Sequence, residues 1–198
     1  MDYRLYHAIN DFVADHDWIG QAFNDFETWT VPVFAVATFA LWLLARPGGD
    51  PKWKLASTSA LASAALALLI NQVIGKLWHR DRPFQAHPSV HVWGSRSQDP
   101  SFPSDHASAA FAIAFAVFFF DRLAGSLFLG AAVLLAAGRV AIGAHYPADV
   151  AAGCLVGLGA ALIVVHLGRP YVASLVRLIS RLTDPLLARA CSNRGTSR

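Results

Sequence analysis

The chain has 198 residues, 55% of them hydrophobic and 15% charged, with a formal net charge of +3. That charged share lies well below the ~25% of soluble domains, and a small, unevenly spread net charge argues against a nucleic-acid surface. The length suits a single domain over 1–198, and apolar runs of membrane-spanning length predict an all-α integral membrane helix bundle.

Residues 1–29 carry six acidic side chains and only Arg4 on the basic side, so no basic start precedes an apolar core and no cleavable signal peptide is expected. Leu5, Ile9, Phe12 and Val13 recur near helical spacing, with Phe23 and Phe26 beyond, which predicts an amphipathic helix over 3–24 lying at the membrane interface. A first span covers 30–45 and stops at the breaker Arg46-Pro47-Gly48-Gly49. A second covers 55–77, its first half rich in Ala and Ser, residues that let neighbouring helices approach closely. The polar loop 79–103 holds His79, His87, His91 and Trp93, and a loop of this length is usually functional. A third span covers 104–120, followed by a turn at Asp121-Arg122, and a fourth covers 123–143. The fifth covers 148–167, with Gly153 and Gly157 at small-xxx-small spacing. Residues 171–189 read as a second amphipathic helix, and 192–198 as disordered. The domain therefore divides into an interfacial segment (1–29), a five-span bundle (30–168) and a basic tail (169–198).

Orientation follows from the basic residues. Arg46, Lys52 and Lys54 follow the first span, and six arginines against one aspartate lie between Arg169 and Arg198. Excess Lys/Arg marks the cytoplasmic face, so the C-terminus is expected inside and the acidic N-terminus outside. The same count places the 79–103 loop, the start of span three and the 143–148 turn together on the outer face of a multi-pass plasma-membrane protein.

Three stretches on that face carry chemistry. Arg82 follows Lys76 and Arg80 at the end of span two. A guanidinium offers a rigid fork of donors that fits phosphate oxygens, although arginines at helix ends also snorkel. Arg139 lies within the fourth apolar run, where a charge costs at least ~2.5 kcal/mol, so an anion or a carboxylate should meet it. Ser104 caps span three, and a helix N-terminus favours anions. His106, in its first turn, can protonate a leaving oxygen at neutral pH. His145 and Asp149 stand four apart, so the carboxylate can reach one ring nitrogen, fix the tautomer and free the other nitrogen for attack. The set reads as a phosphate-cleaving site at a membrane edge. His79, His87 and His91 are irregularly spaced and read as loop residues, and Cys154 and Cys191 have no zinc spacing and no framework, so neither a metal nor a disulfide is expected.

These stretches resemble the three motifs of the type 2 phosphatidic acid phosphatase superfamily, Lys-x6-Arg-Pro, Pro-Ser-Gly-His and Ser-Arg-x5-His-x3-Asp. Arg139, His145 and Asp149 match the third at all key positions. The form Ser101-Phe102-Pro103-Ser104-Asp105-His106, with Asp in place of Gly, resembles bacterial undecaprenyl-diphosphate phosphatases. The resemblance implies a metal-independent enzyme without cofactor, hydrolysing a polyprenyl (undecaprenyl) diphosphate in the bilayer to the monophosphate during cell-wall carrier recycling. His145 would form a phosphohistidine, Asp149 would polarise it, and His106 would protonate the leaving group. Arg82, Arg139, Ser104 and Lys76 would hold phosphoryl oxygens. Three positions depart from the pattern. Lys76 is one residue too close to Arg82, so Arg80 is an alternative source of that charge. Gly138 replaces a serine. Asp105 replaces glycine and should point away from phosphate or cap its helix. Alternatives are the same chemistry on phosphatidylglycerol phosphate, phosphatidic acid or a prenyl-linked sugar phosphate, a vanadate-dependent haloperoxidase, or a non-enzymatic lipid transporter.

Overall fold

The computed structural model describes residues 2–45 and 50–192, with side chains up to residue 185. The breaker at 46–49 and most of the tail expected to be disordered lie outside the described residues. The chain forms α1 (Asp2–Ala14), α2 (Asp17–Leu44), α3 (Lys52–Leu77), the short α4 (Pro83–Ala86), α5 (Asp105–Phe120), α6 (Arg122–Ala141), α7 (Pro147–Leu162) and α8 (Arg169–Ser192), with a π-turn at Ile163–Leu167 after α7. Among the described residues there is no strand. α2, α3, α6 and α7 with its π-turn are long and apolar enough to cross a membrane, and α5 is a shorter apolar helix of 16 residues.

α5 is the axis of the bundle. It is apolar all round, as a helix surrounded by other helices must be, and it packs against α3, α6 and α7. Small residues permit that contact. Ala56, Ala60, Ser63 and Ala67 of α3 are fully or almost fully buried. On α7, a Cβ added at Gly157 would come within 2.7 Å of the Ala112 backbone nitrogen, and one at Gly153 within 3.0 Å of the Ser104 carbonyl. The two glycines thus press the start of α7 onto the start of α5, where the site forms.

One boundary departs from expectation. The single helix expected over 3–24 is two, α1 and α2, and residues 17–29 form the first turns of α2, which runs unbroken for 28 residues. Two of its acidic side chains have partners from distant segments. Asp17 accepts a bond from the Trp93 indole at 3.1 Å, and Glu27 pairs with Arg139. The loop 79–103 is pinned from the same side, since the Asn10 side chain bonds both the N–H and the C=O of His91, at 3.0 and 2.9 Å. At the opposite end of the bundle, Lys54 is buried against Asp184 and Ser180 of α8, and Lys52 meets Asp121 at 2.7 Å.

Candidate active site

Two helix starts and one helix end build the site. Ser104 caps α5, its hydroxyl accepting from the Ala107 N–H at 3.5 Å. Asp149 caps α7, accepting from the Tyr146 N–H at 2.9 Å. The Ser104 N–H donates to the Asp149 carbonyl at 3.1 Å, which locks the two starts together. α6 ends just after Arg139, and the chain turns at Gly143, where φ is +82° and a Cβ would lie 2.3 Å from the His91 carbonyl. Only glycine suits such a position. The turn delivers His145 beneath the loop.

His145 is 1% exposed. Its Nδ1 lies 2.8 Å from the Ser101 carbonyl oxygen, which can only accept, so Nδ1 carries the proton. Nε2 is left as an acceptor and faces Arg82 Nη1 at 3.3 Å. Burial, helped by the charges of Arg139 and Arg82, pushes the imidazole pKa down to about 4 despite the nearby Asp149 carboxylate. The ring is therefore neutral at pH 7, with one free lone pair.

Direct contact between Asp149 and His145 was the expectation, and the geometry corrects it. The carboxylate lies 3.7 Å from Nδ1, beyond hydrogen-bond reach. Its oxygens are taken by the Ser101 hydroxyl at 2.5 Å, the Tyr146 N–H, and Arg80 Nη1 at 2.6 Å. Ser101, which the motif includes but to which the sequence gives no role, fixes the tautomer with its carbonyl and bridges to Asp149 with its hydroxyl.

Both arginines of the motifs are buried, each 7% exposed. Arg82 donates to the Asp99 carbonyl at 2.9 Å and to the Ala144 carbonyl at 3.4 Å, and burial pulls its pKa below the usual arginine range. Arg139 bonds Glu27 through Nη1, and its Nε–H has no partner among the described residues. The carboxylate that a buried arginine demands is therefore Glu27, from α2. His106, half-buried, has Nε2 3.7 Å from the same Glu27 oxygen. The one sequence signal for Glu27 was an acid placed three residues ahead of an apolar run.

Lys76 stands apart. It is exposed at the end of α3, beside a polar pocket of about 180 Å³ that it shares with Asn71, Asp99 and Asp105. Arg80 does not replace it in front of His145. It lies behind Asp149, bound to Asp149 and Asp2 at 2.6 Å each and stacked over Tyr146 at 4.1 Å. Burial lowers its pKa, but the bonds to Asp2 and Asp149 outweigh that and raise it. Asp105 accepts from Asn71 of α3 at 2.7 Å. Gly138 faces Phe23, whose ring would sit 2.9 Å from a Cβ there, so the serine hydroxyl is replaced by an aromatic contact.

Two cavities meet at this cluster. An apolar cleft of about 290 Å³ between α2, α3, α5 and α6 is lined by Thr30, Phe34, Leu61, Leu68 and Leu135, with His106 among its lining. A more polar pocket of about 270 Å³ is lined by Asn24, Glu27, Trp93 and Arg139. A fixed positive pair, a helix N-terminus and a free imidazole lone pair can bind and attack an anionic phosphoryl group.

Residues 56–171 match the family model of the PAP2 superfamily. The chain is 28% identical over 190 residues to undecaprenyl-diphosphatase BcrC of Bacillus subtilis (strain 168), covering 94% of this chain and 95% of that protein. It is 33% identical over 132 residues to decaprenylphosphoryl-5-phosphoribose phosphatase of Mycobacterium tuberculosis, covering 65% and 68%. Among solved structures, Aquifex aeolicus LpxE shares the fold with a TM-score of 0.69 and 22% identity, over 83% of this chain and 94% of that one. The chain belongs to the PAP2 superfamily and is a multi-pass membrane phosphatase.

Proposed function

We propose that the protein hydrolyses a polyprenyl diphosphate, undecaprenyl diphosphate by preference, to the monophosphate at the outer face of the plasma membrane. The observation that carries this reading is His145, with Nδ1 tied to the Ser101 carbonyl and Nε2 turned to Arg82. The choice of lipid rests on the near full-length similarity to the Bacillus enzyme. Nε2 attacks the terminal phosphorus while Arg82, Arg139 and the α5 N-terminus with Ser104 hold its oxygens. The bond from phosphorus to the bridging oxygen breaks, and His106 protonates that oxygen as the lipid monophosphate leaves. Water, deprotonated by His106, then attacks the phosphohistidine, releasing inorganic phosphate and restoring His145. Charge spread over the equatorial oxygens is met by fixed guanidinium groups, so positioning does most of the work. The prenyl chain lies in the apolar cleft, whose lining includes His106.

The test is phosphate release by detergent-purified protein from undecaprenyl diphosphate, phosphatidylglycerol phosphate, phosphatidic acid and a prenyl-linked sugar phosphate, with and without chelator and vanadate. Chelator-resistant, vanadate-sensitive release, fastest on the diphosphate and abolished by His145→Ala, is expected. Undiminished turnover in His145→Ala sinks the mechanism, and faster turnover of another lipid replaces the substrate.

A further inference from the structure

Glu27 has no part in the steps above, yet it holds one of the two buried guanidinium groups of the site. It bonds Arg139 and lies 3.7 Å from His106. Its side chain is only 18% exposed, and it lines the polar pocket within 3.7 Å of His106, which lines the apolar cleft. Thr30 and Phe34, which line the apolar cleft, follow it on α2, and Asn24 and Glu27 itself line the polar pocket. Residues 27, 30 and 34 share one helix face. A lipid lying along that face therefore brings its headgroup to the level of Glu27.

A buried arginine without a counter-charge is costly, and Glu27 supplies one when no phosphate is bound. A phosphoryl dianion arriving at Arg139 must displace or stand beside that carboxylate, and like charges at such range repel strongly. The penalty is least for a phosphoryl group fixed where it stands beside the carboxylate without displacing it, and ligands differ in whether they are so fixed. A lipid phosphate is held at the site by its chain in the cleft, which raises its effective concentration there. Inorganic phosphate has no such tether.

We propose that Glu27 is a specificity-determining residue, a resident carboxylate that competes for Arg139 and so favours lipid-borne phosphates over free ones, helping to expel the inorganic phosphate product. This rests on the assignment of Arg139 as a phosphoryl ligand.

Glu27→Gln keeps the shape and removes the charge. The readouts are inhibition by inorganic phosphate and KM for polyprenyl diphosphate and for p-nitrophenyl phosphate. Inhibition by phosphate should strengthen about tenfold or more, KM for p-nitrophenyl phosphate should fall in parallel, and KM for the lipid should change less than about threefold. A merely structural residue would weaken all three. Glu27→Asp, whose shorter stem loosens the pair, should strengthen phosphate inhibition by about threefold, and it decides the matter if the glutamine variant does not fold. An active variant whose phosphate inhibition is unchanged or weaker overturns the inference alone. A wild-type protein that releases phosphate from no lipid overturns the reading on which it rests.

Discussion

Asp149→Asn isolates what the carboxylate behind the nucleophile contributes. Asp149 is fully buried and accepts from Ser101, Tyr146 and Arg80, while the His145 tautomer is held by the Ser101 carbonyl. An asparagine keeps acceptor capacity toward Ser101 and Tyr146 and loses the charge that binds Arg80 and stabilises the imidazolium-like nitrogen during attack. A hydrogen bond to a charged group contributes ~1.5–3 kcal/mol. Expressed in the transition state, that is a rate loss of about 10–150-fold. His145→Ala should lose the phosphoenzyme altogether. Quenched-flow measurement with radiolabelled substrate separates the two variants, because Asp149→Asn should still accumulate a phosphohistidine, more slowly. A loss in Asp149→Asn as deep as that in His145→Ala would refute the division of labour and mean that the carboxylate bonds the imidazole directly in the working enzyme. A change under about twofold would refute the charge argument itself.

The lowered pKa of His145, about 4, keeps Nε2 unprotonated as pH falls from neutrality. In a His106→Ala background, which removes the titration of the acid, single-turnover phosphoryl transfer should therefore hold level down to about pH 5 and be lost through about pH 4, whereas a fall centred near ~6.5 would show an unperturbed imidazole. Gly157→Ala would force a Cβ to 2.7 Å from the Ala112 nitrogen, and it should lower the melting temperature by at least about 3 °C. Gly159→Ala, with nothing within 4 Å, should leave it level or raise it. Lys76→Ala should change kcat/KM by less than about threefold, while Arg82→Ala should cost about a hundredfold or more. Equal losses at the two positions would return Lys76 to the phosphate site.

The bundle was readable because its signals are local. Apolar runs mark α2, α3, α5, α6 and α7, and the small residues of α3 and α7 announce the close contacts that they make. The motif residues were readable because each breaks a local rule, as Arg139 does by placing a charge in an apolar helix. What escaped has no local anomaly. Ser101 acts through its carbonyl, and any residue has one. Glu27 and Asp2 look like ordinary acids on an amphipathic segment, and their partners lie 112 and 78 residues away. The missed break between α1 and α2 has the same origin, since an acid facing an unseen arginine reads like any other acid of an amphipathic helix.

Those long-range pairs decide which positive charge is left for a substrate. Arg80 is neutralised by Asp2 and Asp149, and Arg139 by Glu27. Arg82, among the described residues, bonds only the Asp99 and Ala144 carbonyls and the neutral ring of His145. It is thus the guanidinium whose charge has no bonded counter-ion, and it stands directly before Nε2 of His145, the proposed nucleophile. An incoming phosphoryl group should meet Arg82 first and win Arg139 from Glu27 second. In that order the attacking lone pair is engaged before the site closes around the full charge, and a ligand too weakly held to complete the second step leaves again.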